Sequence, residues 1–287
     1  MPFLACRLRR NIGLRLPNAV QMFNQLKANV LLVEYRGYGD SDDATPSEKG
    51  IKLDAEAALQ FISKYNLVDS ERIFLFGRSL GGAAAFHLAQ FAEQKSIPLA
   101  GIIVENTFLS ISRMVDHLMP IVAPFKSLVL RIGWNSFEIA PTLKTPILYL
   151  AGAADQLVPH SHMLELYKSS GKSSRCARIH VVKDGTHNET WVQGGREYWQ
   201  AMKNFMNEVF ASEAGESFRS MTSLEDVSLE PQSSKGVAIG VGSDVSTQAS
   251  SIPIMPSSII GIAREATSSV LSTQKVNGES NGNKKKL

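Results

Sequence analysis

Six short apolar stretches alternate with helical patterns along this chain of 287 residues. The stretches lie at Pro2–Ala5 (a stub), Asn29–Tyr35, Arg72–Gly77, Leu99–Glu105, Pro146–Gly152 and Ala177–Val182. They are rich in Ile, Val and Leu and lack an alternation of polar and apolar positions, as is typical of strands that are buried on both faces of a sheet. Strands of this kind need a layer of helices on each side.

Amphipathic patterns with a helical period occupy the intervals between these stretches. They cover Pro17–Lys27, Asp54–Tyr65, Ala83–Glu93, Ser161–Lys168 and Arg196–Phe210. Because strands and helices alternate with short links, we predict an α/β fold with a mostly parallel, doubly wound sheet. In such sheets the functional residues collect at the carboxyl ends of the strands.

Two segments break this alternation. Residues 107–145 contain Pro120, Pro124 and Pro141 and are predicted to form a small helical insertion over the sheet edge, in the position of a substrate cap. Residues 212–287 contain one aromatic side chain, Phe218, and 17 serines. A segment so poor in aromatic residues buries too little apolar area to offset its ordering entropy. We therefore expect a folded domain over residues 1–211 and a disordered tail over 212–287.

Charge and cysteine content exclude several classes of function. The net charge of +3, from 30 basic and 27 acidic residues, is too small to favour a nucleic-acid partner. The sequence has no Cys/His cluster with zinc spacing and no Walker loop, so neither a metal nor a cofactor is predicted. The longest uncharged run, 245–263, contains two prolines and five serines, which argues against a membrane-spanning helix. Taken alone, the chain is expected to be soluble, and nothing in it specifies an oligomeric state.

The sequence Gly77-Arg78-Ser79-Leu80-Gly81 stands where a predicted strand gives way to an Ala-rich helical pattern. A serine at such a junction adopts a strained backbone conformation on a sharp turn, and the small residues at 77 and 81 permit that turn. Its hydroxyl is then exposed above the sheet. The amide of Leu80 and the helix N-terminus face the same point and favour a developing oxyanion. The alternative is a tight turn in which Ser79 only caps the helix.

A nucleophilic serine needs a general base, and the base needs an acid that orients it. Asp155 follows the predicted strand Pro146–Gly152, and His187 follows the predicted strand Ala177–Val182. Because both residues follow strands, as Ser79 does, we expect all three side chains to meet at one rim of the sheet.

Other histidines and aspartates compete for these roles. We expect structural or surface positions for His87, His117, His160, His162 and His180. Asp184 lies in the same loop as His187 and is expected to be a turn residue. The polar loop Arg36–Ser41 also follows a predicted strand, so it is expected to border the pocket.

With these residues in place, the chain resembles the α/β-hydrolase superfamily, and within it the Bem-like group that includes α/β-hydrolase domain-containing protein 13. The resemblance is carried by NIGLRLPNAV (11–20), LLVEYRGYGDSD (31–42), IFLFGRSLGGA (73–83), VENTFLSI (104–111), DQLVP (155–159) and DGTHNETW (184–191). It implies an α/β-hydrolase fold with Ser79 as nucleophile, Asp155 as orienting acid and His187 as general base. It also implies esterase or thioesterase activity, with protein depalmitoylation the role usually inferred for near relatives.

The beginning of the chain departs from this family. Members carry an N-terminal membrane anchor followed by the first strands of the sheet, and neither is found here, so the resemblance implies an N-terminally truncated form. By resemblance the family is membrane-associated and its substrates are too. A His-Gly-Asn-Ala-Gly type run supplies one oxyanion donor in the family, whereas residues 6–10 here read Cys-Arg-Leu-Arg-Arg. Leu80 is therefore the one oxyanion donor that we assign.

The leading hypothesis is a serine hydrolase that acts by acyl transfer on carboxylic esters or thioesters. An acyl chain is expected under the insertion, near Phe108, Leu109, Met114, Leu118 and Met119. A serine peptidase of the S9 type is an alternative of the same class. A truncated, poorly folded or non-catalytic form that acts as a binding module is the alternative of a different class.

Overall fold

The computed structural model describes residues 2–7, 12–41, 43–118 and 133–213 of the chain. Within this part of the chain, six parallel strands form one sheet in the order β2-β1-β3-β4-β5-β6. The strands are β1 (Pro2–Arg7), β2 (Asn29–Glu34), β3 (Phe74–Arg78), β4 (Gly101–Glu105), β5 (Ile147–Gly152) and β6 (Ala177–Val182). The parallel sheet predicted from the six apolar stretches is thus confirmed, and all carboxyl ends lie at one edge.

Strand β1 lies inside the sheet, between β2 and β3. It pairs with β2 at six positions, from Pro2 opposite Asn29 to Arg7 opposite Glu34, and with β3 at four. The predicted stub Pro2–Ala5 is therefore two residues too short. The strand continues to Arg7 because buried backbone groups at the centre of a sheet need hydrogen-bond partners, and both neighbouring strands supply them.

Helices connect the strands in every interval between them, as predicted. The helices are α1 (Leu16–Leu26), α2 (Glu48–Ser63), α3 (Leu80–Lys95), α4 (Ile111–Leu118), α5 (Ser136–Ile139), α6 (His160–Ser170), α7 (Thr190–Gln193) and α8 (Gly195–Glu213). Short 3-10 turns in the described residues lie at Ile12–Arg15, Ser70–Arg72 and Ala140–Thr142. Helix α2 begins six residues before the predicted start at Asp54. The cause is an N-cap: Ser47 is extended, and its hydroxyl accepts a hydrogen bond from Gly50 N at 3.1 Å.

Two apolar layers cover the two faces of the sheet. On one face Leu75 of β3 packs with α2, α3 and α6, and on the other face Phe74 and Phe76 pack with α1 and α8. Strands β3, β4 and β5 are buried along their whole length. This double burial explains why their sequences show no polar alternation.

The predicted insertion 107–145 is described at its two ends, because 119–132 lie outside the described residues. Ile111 N donates to Gly133 O at 3.2 Å, and Gly133 N donates to Glu48 Oε2 of α2 at 2.7 Å, so both ends are held together over the start of α2. Phe108, Leu109 and Met114 are buried in the core.

Residues 214–287 of the predicted tail also lie outside the described part, and helix α8 continues to Glu213. None of the helices in the described segments is long and apolar enough to cross a membrane. The elements of the α/β fold given above all lie within the described residues.

Phe74 offers a test of the double burial. Its ring is fully buried and meets the rings of Phe205 and Phe210 edge-on, at centroid distances of 6.2 and 5.7 Å. We expect Phe74→Ala to lower the free energy of unfolding by about 3–5 kcal/mol, because it removes apolar contacts and leaves a cavity. Urea denaturation measures this change. Leu67→Ala is the control, since Leu67 is 77% exposed and should change stability by less than about 0.5 kcal/mol.

Candidate active site

Ser79 lies at the turn between β3 and α3, with φ +56° and ψ −125°. For a residue other than glycine this is a strained backbone conformation, of the kind that costs about 1–3 kcal/mol and clusters at functional sites. Hydrogen bonds hold the turn: Ser79 N donates to Glu105 O at 2.9 Å, and Gly82 N donates to Ser79 O at 2.9 Å. At Gly77 a Cβ atom would lie 2.1 Å from Gly81 O, so only glycine permits the close approach.

Asp155 and His187 come from the loops after β5 and β6. Asp155 Oδ2 lies 2.7 Å from His187 Nδ1. The other carboxylate oxygen, Oδ1, accepts hydrogen bonds from Leu157 N at 2.8 Å and Val158 N at 2.9 Å. The Asp155 side chain is 1% exposed and the His187 side chain 11% exposed. The carboxylate is therefore held rigidly, and a proton on Nδ1 that faces it leaves His187 Nε2 free to accept another proton.

The structure thus joins two of the three predicted side chains directly. Ser79 occupies the same carboxyl edge of the sheet, but among the described residues no hydrogen bond links its Oγ to His187. Catalytic hydrogen bonds are often long in unliganded enzymes and tighten when substrate binds. Leu80 is the first residue of α3, and the first amides of a helix have no acceptor within the helix. Its N–H is available at the turn that carries Ser79.

The competing residues lie in other surroundings. His87 Nε2 lies 2.7 Å from Glu56 Oε1 on the neighbouring helix α2, and burial lowers the pKa of His87. Burial also lowers the pKa values of His160, His162 and His180. Asp184 and His117 are exposed. Their structural or surface roles stay a prediction.

The polar loop Arg36–Ser41 is tied to the segment that follows β1. Glu34, the last residue of β2, accepts hydrogen bonds from Ile12 N at 2.9 Å and Asp40 N at 3.0 Å. Arg36 pairs with Asp54 of α2 at 2.6 Å. These contacts hold the loop at the carboxyl edge of β2.

A buried ion pair below the site was not predicted from the sequence. Arg78 NH2 donates to Glu105 Oε2 at 2.7 Å, with side-chain exposures of 3% and 0%. Tyr198 OH of α8 donates to the same oxygen at 3.0 Å, and Arg78 NH1 donates to Asn188 O, next to His187, at 3.2 Å. Burial lowers the pKa of Arg78, but Glu105, Tyr198 and Glu189 together raise it above its ordinary value. The sequence did carry a signal for this ion pair, because the apolar strands β3 and β4 end in the charged residues Arg78 and Glu105.

This pair can be tested by an isosteric change. Glu105→Gln leaves the buried guanidinium of Arg78 without a counter-charge, so we expect the free energy of unfolding to fall by about 3–5 kcal/mol. The matched control is Glu165→Gln, which neutralises the exposed pair of Arg113 and Glu165 at 3.9 Å and should cost about 0–1 kcal/mol. Chemical denaturation of both variants gives the comparison. Equal losses would show that burial of the Arg78 pair is energetically unimportant.

Comparison with known proteins identifies sequences that are similar to this chain. The sequence model of a hydrolase family described as serine aminopeptidase, S33, matches residues 13–138. WAV2 of Arabidopsis thaliana, an α/β hydrolase domain-containing protein, is 38% identical over 68% of this chain and 66% of its own length. YNL320W of Saccharomyces cerevisiae, an uncharacterized membrane protein, is 35% identical over 71% and 70%. Protein bem46 of Schizosaccharomyces pombe is 33% identical over 69% and 64%.

Solved structures show the same fold at low identity. An esterase of Pyrococcus furiosus, Pf2001, superposes with a TM-score of 0.58 at 15% identity, over 72% of this chain and 82% of the esterase. Acetyl xylan esterase 1 from Thermoanaerobacterium superposes with a TM-score of 0.54 at 18% identity, over 73% and 75%. The chain spans about two thirds of the length of its curated relatives. On the sheet order, the site geometry and these similarities, the chain belongs to the α/β-hydrolase family, as a relative of WAV2, YNL320W and bem46.

Proposed function

We propose that this protein is a serine hydrolase that cleaves carboxylic esters or thioesters by acyl transfer. The observation that carries the proposal is the 2.7 Å contact between His187 and Asp155 at the sheet edge where Ser79 adopts its strained turn. A base oriented by a buried acid, near a serine on a sharp turn, is the arrangement that activates a hydroxyl for nucleophilic attack.

The proposed reaction has two halves. Ser79 Oγ attacks the carbonyl carbon while His187 Nε2 takes the hydroxyl proton, and the negative charge on the carbonyl oxygen accepts a hydrogen bond from Leu80 N–H. The bond to the leaving oxygen or sulfur then breaks, and His187 returns the proton to that atom, which leaves an acyl-serine. In the second half, water attacks the acyl carbon with His187 again as base, and Ser79 is released as the alcohol. Asp155 stabilises the imidazolium in both halves.

We propose an apolar acyl group as the substrate. Leu14, Leu157 and Val192 lie in segments that follow β1, β5 and β6, and their exposed fractions are 63%, 45% and 53%. YNL320W of Saccharomyces cerevisiae is named a membrane protein, which supports an acylated substrate at a membrane. Protein depalmitoylation is the specific reaction that we propose.

The second candidate is peptide hydrolysis. The family model that matches residues 13–138 is described as a serine aminopeptidase, and the same nucleophile, base and acid would cleave an amide. The two candidates differ in the leaving group, which is an alcohol or thiol in one case and an amine in the other. Substrate comparison therefore separates them.

The serine mechanism is tested by a fluorophosphonate probe, which reacts with activated serines. We expect the purified protein to be labelled and Ser79→Ala to lose all labelling, because the activated hydroxyl is gone. Ser161→Ala is the control, since Ser161 is exposed on α6, and it should be labelled as the wild type is. Wild-type protein that is folded by circular dichroism but stays unlabelled would contradict the proposal and favour a binding module.

Substrate class is tested with three matched sets: p-nitrophenyl esters of increasing chain length, an S-palmitoylated peptide and aminoacyl anilides. We expect kcat/KM to rise with acyl length, by up to about tenfold for each 1.4 kcal/mol of added binding, and the thioester to be cleaved. Ser79→Ala measures the background with each set. Turnover of the anilides alone would favour the aminopeptidase candidate instead.

A further inference from the structure

The segment Glu105-Asn106-Thr107, directly after β4, contacts every part of the chain that carries a proposed catalytic residue. Two of its contacts hold the peptide of Ser79. The backbone oxygen of Glu105 accepts from Ser79 N at 2.9 Å, and Thr107 Oγ1 donates to Ser79 O at 2.8 Å. Ser79 is therefore fixed on both sides by residues that no catalytic step uses.

The side chain of Asn106 reaches the two other loops. Its Oδ1 accepts a hydrogen bond from Gly152 N at 2.7 Å, three residues before Asp155. Its Nδ2 lies 3.2 Å from His187 O, 3.3 Å from Thr186 O and 2.9 Å from Thr190 Oγ1. One carboxamide thus connects the loop of the acid to the loop of the base.

Both the backbone and the burial of residue 106 suit asparagine. Its φ is +47°, a left-handed conformation that asparagine tolerates better than most residues. The residue is 1% exposed, so water does not compete for its hydrogen bonds. A carboxamide offers an acceptor and two donor hydrogens, which matches one backbone N–H on one side and carbonyl and hydroxyl oxygens on the other.

We propose that Asn106 is a positioning residue of this site, whose carboxamide holds the loops of Asp155 and His187 in the register that forms their hydrogen bond. The inference rests on the proposed function. Loss of the carboxamide leaves Gly152 N and His187 O without these buried contacts. Backbone hydrogen bonds from Ala153 N to Val182 O and from Ala154 N to Gly185 O still join the two loops, but the position of His187 relative to Asp155 is then held less tightly. A displacement of 1 Å at a catalytic group is enough to lower turnover by about 10²-fold.

Two substitutions at 106 separate the side chain from the backbone. Asn106→Gly keeps the positive φ without strain and removes the carboxamide. Asn106→Asp keeps the shape and the acceptor for Gly152 N, but it turns the donor into an oxygen that faces two carbonyl groups. Thr190→Val removes one of the three partners of the Asn106 amide and, with it, the hydrogen bond from Thr190 Oγ1 to Thr186 O at 2.7 Å. The matched control is Ser170→Ala, which also deletes a buried hydrogen bond, in which Tyr149 Oη donates to Ser170 Oγ at 2.9 Å at the end of α6.

The variants are compared at a temperature where all are folded, by kcat and KM on the ester substrate and by the NMR resonance of the His187 Nδ1 proton, assigned with His187→Gln. We expect Asn106→Gly and Asn106→Asp to lower kcat by about 10²-fold with KM within about threefold of the wild type. Their Nδ1 proton resonance should shift upfield or broaden. Thr190→Val should show the same changes at smaller size, and Ser170→Ala should show neither.

Two results would overturn the inference: variants at 106 that retain the kcat of Ser170→Ala, or a lowered kcat with an unchanged Nδ1 proton resonance. If Asn106→Gly and Asn106→Asp do not fold, Thr190→Val decides by the same criteria. Failure of the proposed function is a separate result, recognised by a wild type that neither turns over ester nor reacts with fluorophosphonate. In that case the resonance alone still tests whether Asn106 holds His187 against Asp155.

Discussion

In the pairing of β3 with β4, Arg78 lies opposite Glu105, and the rest of the site depends on this register. Because the two strands end at the same level, Ser79 and Asn106 leave the sheet side by side. A shift of β3 by one residue would move Arg78 to the opposite face of the sheet and leave Glu105 without its partner. The buried ion pair and the position of Ser79 are therefore consequences of a single alignment.

The faces of the sheet and its carboxyl edge make different kinds of contact. Between the helical layers the contacts are apolar, and they stabilise the fold without specifying the position of any one group to a fraction of an ångström. At the carboxyl edge the contacts are polar and buried: Arg78 with Glu105, Asn106 with Gly152, and Asp155 with His187. Hydrogen bonds are directional and costly to leave unmade in such surroundings, so they determine the geometry there.

Several features could be predicted because they depend on local pattern. The six strands follow from apolar runs, and the positions of Ser79, Asp155 and His187 follow from their place just after strands. Other features could not be predicted. The full length of β1 depends on partners from β2 and β3, and the early start of α2 depends on the cap at Ser47. Asn106 gave no signal, because an asparagine after a strand is ordinarily a turn residue.

The sequence by itself determined the class of fold and the three residue types of the proposed mechanism, since hydrophobic period and chain order are properties of the chain alone. Only the tertiary structure decided that Asp155 meets His187 at 2.7 Å and that Asn106 connects their loops. These contacts join residues 32 to 81 positions apart. Such distances along the chain close only when the strands pair in one register and the buried groups at their ends find their hydrogen-bond partners.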